Sequence, residues 1–174
     1  MHLFLIVSIP LAYVYLLILR DQAGQTSSMT AIPALKGALG YLLVLVPLLF
    51  VDRFVEEPYN GAALYLYGAV YDFVIPGSLG FFLYLWFTSD VRGMSPDERF
   101  LSFCSFLAGL FAFAGIMDLF LRAEYFGTYE LFLLPALRIA MIFLFPALYY
   151  HFSDETFWIR YLHLAAMAAV PFVL

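Results

Sequence analysis

Six runs of apolar residues, separated by short polar clusters, occupy almost the whole chain. Most of these runs reach the roughly 20 residues that an α-helix needs to cross the hydrocarbon core of a bilayer. A soluble fold cannot hide so much apolar surface, because 65% of the residues are hydrophobic and only 12% are charged, against about 25% charged in an ordinary soluble domain. The pattern predicts an all-α fold, a polytopic transmembrane helical bundle with about six spans.

The polar clusters set the boundaries of these spans. We expect the spans at residues 2–19, 31–51, 62–88, 96–121, 131–150 and 157–174. Pro33 is expected in the first turn of the second span, where its missing N–H group costs nothing. Lys36 is then expected to extend its amine toward the membrane surface. The third run is long and contains Pro76 followed by Gly77, so we expect this helix to bend near Ile75.

The start of the fourth span carries a helix-initiation signal. Ser95 is a preferred N-cap residue, and Pro96 suits the first helical position. Asp97 and Glu98 then fall in the first turn, where acidic side chains interact favourably with the helix dipole. We therefore expect this helix to begin directly after Ser95.

One domain is expected over residues 1–174, because the charged residues lie in short clusters and no linker interrupts the series of apolar runs. The last run ends at Leu174 without the polar residues that normally finish a span. Two interpretations stay open. Either the carboxyl terminus lies at the membrane surface, or the sequence is a fragment of a longer chain.

The orientation of the bundle follows from the distribution of lysine and arginine, which are enriched in cytoplasmic connections. The connections after spans one, three and five, with their helix ends, carry five such residues: Arg20, Lys36, Arg92, Arg99 and Arg160. The connections after spans two and four carry Arg53 and Arg122. We therefore predict a multi-pass protein of the cell membrane with both termini outside.

Among the charged residues of the predicted spans, three stand out at membrane depth, where each costs about 2.5 to 3.5 kcal/mol on insertion scales and is therefore either paired or functional. Asp72 lies about 16 Å below the outer face, at 1.5 Å per residue from the connection before it. Asp118 lies near the outer end of the fourth span, and Arg138 leans outward toward the same level. Tyr65 shares a helix stripe with Asp72. The sequence predicts that these four residues form a polar cluster in the outer half of the bundle.

Two interpretations of this cluster follow. In the first, Arg138 pairs with Asp118 or Asp72 and only holds helices together. In the second, the cluster is an outward-opening pocket in which Arg138 binds an anionic group and an aspartate handles a proton or a cation. The residue types alone do not distinguish a structural role from a ligand site.

A metal site and nucleic-acid binding receive little support from the sequence. His151 and His163 flank the connection between the last two spans, but their spacing is not an established ligand pattern, so they are only weak metal candidates. No cofactor is indicated. The chain has one lysine and seven arginines and no basic stripe, which excludes a nucleic-acid partner.

Three functions remain open at this point. The first is a non-catalytic membrane subunit of a larger complex, such as a transporter or an envelope assembly, with the lipid bilayer and other membrane subunits as partners. The second is a carrier of a small solute or proton that uses the Asp/Arg cluster. The third is a membrane enzyme acting on a lipid or quinone, which is disfavoured because the sequence contains no motif for nucleophilic or metal-dependent catalysis.

Overall fold

The computed structural model of the chain describes residues 3–54, 63, 67–68, 70–87, 94–122 and 134–151. Its regular structure in these ranges is helical throughout, which confirms the all-α prediction. The helices are α1 (Leu3–Gln22), α2 (Ser28–Phe54), a π-helical turn (Val70–Val74) that continues into α3 (Ile75–Phe87), α4 (Pro96–Arg122) and α5 (Leu134–His151). The predicted sixth span, residues 157–174, lies outside the described residues.

Three of these helical segments are long and apolar enough to cross a membrane, namely Ser28–Phe54, Val70–Phe87 and Pro96–Phe120. A fourth segment, Leu134–Tyr150, is apolar but shorter. Helices of this length and composition fit a helical membrane protein.

Helix α2 shows how the sequence distinguishes the interior of the bundle from its surface. Its buried face carries small or polar residues beside a few large ones, and consists of Thr30, Pro33, Gly37, Gly40, Tyr41, Val44 and Leu48. Its exposed face is made of large aliphatic and aromatic residues, including Ile32, Leu35, Leu39, Leu42, Leu43, Val46, Leu49 and Phe50. A soluble protein rarely exposes so continuous an apolar patch. This arrangement suits a helix whose outer face contacts lipid.

Helix α4 lies at the centre of the bundle, and every residue from Leu101 to Phe111 is buried. It crosses α2 so closely that the backbones touch. A Cβ atom on Gly37 would overlap the carbonyl oxygen of Phe106, and a Cβ atom on Gly109 would overlap the carbonyl oxygen of Ala34. Glycine at both positions therefore allows the two helices to approach, as small residues do in membrane bundles generally.

The start of α4 confirms the predicted initiation signal. The Ser95 hydroxyl accepts a hydrogen bond from the Glu98 backbone N–H at 3.3 Å, and the Glu98 carboxylate accepts one from the Ser95 N–H at 2.7 Å. Each side chain thus satisfies a donor at the other residue, which is a capping box. Pro96 is the first residue of the helix.

The start of α2 corrects one prediction. The helix begins at Ser28, so Pro33 is its sixth residue and lies beyond the first turn. The Ser27 carbonyl accepts hydrogen bonds from the Ala31 N–H at 3.0 Å and the Thr30 hydroxyl at 3.3 Å, which begins the helical path earlier than the apolar run suggests. Ser28, Met29 and Thr30 precede the predicted span at 31–51 and form the first turn of the helix.

The ends of the helices are aligned by a few polar contacts. Lys36, near the start of α2, donates a hydrogen bond at 3.0 Å to the carbonyl of Phe87, the last residue of α3. The Tyr84 hydroxyl donates to the carbonyl of Arg99 at 3.3 Å and lies 3.5 Å from the Tyr150 hydroxyl. The start of α2, the end of α3, the start of α4 and the end of α5 therefore lie at one end of the bundle.

Candidate functional site

Arg138 is the centre of the charged cluster and is almost completely buried, with 2% of its surface exposed. It lies one turn after Leu134, the first described residue of α5. Its Nη2 atom is 2.8 Å from Oδ2 of Asp118, whose side chain is 15% exposed. The structure therefore brings together two of the four residues that the sequence assigned to the cluster, in an ion pair between α4 and α5.

Helix α4 forms one wall of the cluster with a single stripe of residues. Phe111, Gly115 and Asp118 are separated by four and then three positions, so they share one face of the helix. The guanidinium carbon of Arg138 lies 5.9 Å from the centre of the Phe111 ring. A Cβ atom on Gly115 would lie 3.9 Å from Nη1 of Arg138. The stripe thus presents the arginine with an aromatic ring, a residue without a side chain and a carboxylate in sequence.

Asp72 is also buried, with 9% of its surface exposed, and it lies in the π-helical turn Val70–Val74. Pro76 explains this turn, because in an α-helix its nitrogen would face the carbonyl of Asp72 four residues earlier, where it has no hydrogen to donate and its ring would clash. A wider turn relieves that clash. A π-helical turn, which is one of the usual causes of a helix kink, therefore lies directly before Ile75, where the sequence predicts a bend.

Electrostatic interactions connect Asp72 to the ion pair. The carboxylates of Asp118 and Asp72 both interact with the Arg138 charge, and that of Asp118 is the stronger influence. With both carboxyls ionised, the three side chains carry one positive and two negative charges, a net charge of minus one. Tyr65, the fourth predicted member, lies outside the described residues, and its place in the cluster stays a prediction.

Tyr41 is a member of this region that the sequence analysis did not assign to the cluster. It lies on the buried face of α2, is 4% exposed, and interacts electrostatically with Asp118, Arg138 and Asp72. A signal for it exists in the sequence, because Gly37, Tyr41 and Val44 follow a helical spacing of four and three that marks one face. The chain has 13 tyrosines, so this spacing alone does not distinguish Tyr41 from the others.

The guanidinium of Arg138 is incompletely hydrogen-bonded. Among the residues that the structure describes, neither Nε nor Nη1 has a hydrogen-bond acceptor. The contact of Nη2 with Oδ2 of Asp118 has the distance of an ion pair, although the two groups are not aligned as a hydrogen bond. A buried polar group without a partner is costly and normally indicates a water molecule, a ligand or a functional role.

The metal candidates cannot be placed. The side chain of His151 and the whole of His163 lie outside the described residues, so that weak assignment also stays a prediction. In the part of the chain that the structure describes, no three histidine, cysteine, aspartate or glutamate side chains come together in a group that could hold a metal ion.

Comparisons of this chain with protein-family models, with curated protein sequences and with solved structures find no match. The candidate site therefore has to be interpreted from its own geometry.

Proposed function

We propose that this protein is a non-catalytic, multi-pass membrane subunit that works inside a larger membrane complex, such as a transporter or an envelope assembly. The observation that supports this proposal is the buried ion pair between Arg138 and Asp118. It joins α4 to α5, and 2% exposure of the arginine is typical of a group used in helix packing. The large apolar residues on the outer face of α2 offer contacts to lipid and to neighbouring subunits.

The test of this proposal is the mass of the particle that contains the chain when it is extracted from its native membrane in a mild detergent. We expect light scattering after size exclusion to give a mass well above the 19.8 kDa of one chain plus its detergent. The Arg138→Ala variant should assemble into the same particle and unfold at a lower temperature. A wild-type protein that elutes as an isolated monomer contradicts the proposal.

The proposed topology has six spans with both termini outside. It is supported by Arg20, Lys36 and Arg99, which lie at the end of the bundle where α1 ends and α2 and α4 begin. We expect a cysteine at exposed Ala23 to react with a membrane-impermeant maleimide only after permeabilisation, and one at exposed Asp52 to react in intact cells. Cys104 is fully buried and provides the unreactive background. The reverse labelling pattern contradicts the orientation.

A carrier of a small solute or proton is the second candidate function. The observation that favours it is the pair of Arg138 donors without an acceptor among the described residues, since a purely structural arginine is expected to have its N–H groups satisfied. A carrier and a subunit differ in one measurable respect. Loss of the arginine should abolish transport by a carrier that still assembles, whereas in a structural subunit it should only lower stability.

A further inference from the structure

We propose that the outer face of α2 binds a phospholipid with a net negative headgroup, whose phosphate contacts the Lys36 amine and whose acyl chain follows the apolar stripe beyond it. The inference goes beyond the proposed function, because it names a lipid partner and does not depend on other protein subunits. Only the leaflet rests on the proposed topology, which places Lys36 on the cytoplasmic side, where anionic lipids are concentrated.

The first observation is a lysine without an ion-pair partner. In the part of the chain that the structure describes, the Lys36 amine forms no ion pair, whereas Arg20 at the same end of the bundle is paired with the carboxylate of Asp21. Lys36 donates one hydrogen bond, to the Phe87 carbonyl at 3.0 Å. An ammonium group has three donors. Among the described residues, the positive charge of Lys36 is therefore not balanced by a carboxylate, and its other donors are available to a ligand.

The second observation is the level of Lys36 in the membrane. Phe87, whose carbonyl accepts the hydrogen bond, is the last residue of α3. The preceding residue, Trp86, is 79% exposed. Exposed tryptophans of membrane proteins are enriched at the level of the lipid headgroups, and a lysine near a helix end extends its amine to the same level. The Lys36 amine therefore lies where a lipid phosphate is expected.

The third observation is the apolar surface of α2 beyond Lys36. A helical spacing of three, four, three and four from Lys36 defines one stripe of the helix. It consists of Leu39, Leu43, Val46 and Phe50, each more than half exposed. From Lys36 to Val46 the stripe runs about 15 Å at 1.5 Å per residue, which is about half the thickness of the hydrocarbon core. An acyl chain of the same leaflet can therefore lie along it.

The charge of Lys36 determines which headgroup is preferred. Phosphatidylcholine carries its own cation beside the phosphate, and this cation competes with Lys36 for the phosphate oxygens. Phosphatidylglycerol has the same phosphate without a cation. The attraction of one lysine to an anionic lipid surface corresponds to about a fivefold preference.

The experiment measures the quenching of tryptophan fluorescence by phospholipids that are brominated in the middle of an acyl chain. The full chain is placed in nanodiscs in which phosphatidylglycerol replaces phosphatidylcholine stepwise, with only one of the two lipids brominated. Trp86 and Trp158 are replaced by phenylalanine, and Leu43→Trp introduces a reporter about 10 Å beyond Lys36. We expect about a fivefold preference for phosphatidylglycerol at this reporter. Lys36→Met and Lys36→Gln should abolish the preference, whereas Lys36→Arg should keep most of it.

The matched control is Val14→Trp on α1, in the same phenylalanine background. Val14 is 52% exposed, close to the 55% of Leu43, and lies about 9 Å from Arg20 at 1.5 Å per residue. Because Arg20 is paired with Asp21, this reporter should show equal affinity for the two lipids.

Three results would each overturn the proposal: equal affinity for the two lipids at the Leu43→Trp reporter, a preference that is unchanged in both Lys36→Met and Lys36→Gln, or the same preference at the Val14→Trp reporter. A preference that is confined to the Leu43→Trp reporter and lost with the lysine charge supports it. The particle mass after extraction tests the subunit role separately, so either proposal can fail without the other.

Discussion

From Leu101 to Phe111, α4 is buried on all sides and touches α2 through backbone atoms, whereas from Ala112 onward it is partly exposed and carries a charge. The first half packs by shape, with the rings of Tyr84 and Phe103 stacked at 4.2 Å and glycines at the helix crossing. The second half is joined to α5 by the ion pair of Asp118 and Arg138. The first half satisfies its contacts by close packing, while the charged half holds arginine donors that have no acceptor among the described residues. The difference places the candidate site in the less closely packed half.

The largest effect is expected at the ion pair, because removing one member leaves its partner buried and less well compensated. Asp118→Ala and Arg138→Met should each lower the free energy of unfolding by about 3–5 kcal/mol. The double variant should lose less than the sum of the two single losses, since no unmatched charge of the pair then remains, while the Asp72 carboxylate still lacks the arginine. Equilibrium unfolding in mixed micelles with increasing SDS measures all three. Additive losses in the double variant would show that the two side chains do not act as a pair.

A smaller effect is expected at the crossing of α2 and α4. Gly37→Ala places a methyl group against the carbonyl oxygen of Phe106, which is backbone and cannot rotate away. The helices must separate, at a cost of about 1–3 kcal/mol. That cost exceeds the gain in helix propensity of about 1 kcal/mol that alanine brings over glycine.

Gly40→Ala is the matched control for this prediction, because it lies one turn further along the same face of α2 and its Cβ atom makes only ordinary contacts. It should be neutral or slightly stabilising in the same SDS titration. If the two alanine variants unfold alike, the shape-packed half is looser than the structure indicates and the contrast between the halves of α4 weakens.

The sequence was sufficient for features that depend on local chemistry. The apolar runs predicted the helices, Ser95 and Glu98 marked the start of α4, and Pro76 marked the irregular turn. These signals act within one or two turns of the chain, so they can be recognised without knowing what packs against them. The boundary of α2 was missed because polar residues can begin a helix as readily as they can form a loop.

The parts that the sequence did not predict depend on contacts between distant segments. Gly37 and Gly109 matter because their Cα atoms face carbonyl groups of another helix, and neither residue indicates its partner. Depth along the membrane axis suggested that Asp118 and Arg138 are near each other, but the unfilled donors of the arginine depend on the exact placement of every neighbour. The role of the cluster, structural or ligand-binding, stays a prediction.

The smallest effect is expected at Lys36, which belongs neither to the ion pair nor to the crossing of α2 and α4. It lies at the end of the bundle beside the closely packed half of α4. Its amine donates to the last carbonyl of α3 at an exposed position, where a cation also interacts favourably with the helix dipole. Lys36→Met should lower the free energy of unfolding by about 0.3–1 kcal/mol at low salt. Lys36→Arg should keep most of this stabilisation, because it keeps the positive charge. Because exposed charges are screened by salt, the difference between the two variants should shrink at high ionic strength. A loss in Lys36→Met that does not change with salt would assign the effect to packing of the lysine stem. Close packing, and not charge, would then stabilise the end of the bundle as it stabilises the crossing of α2 and α4.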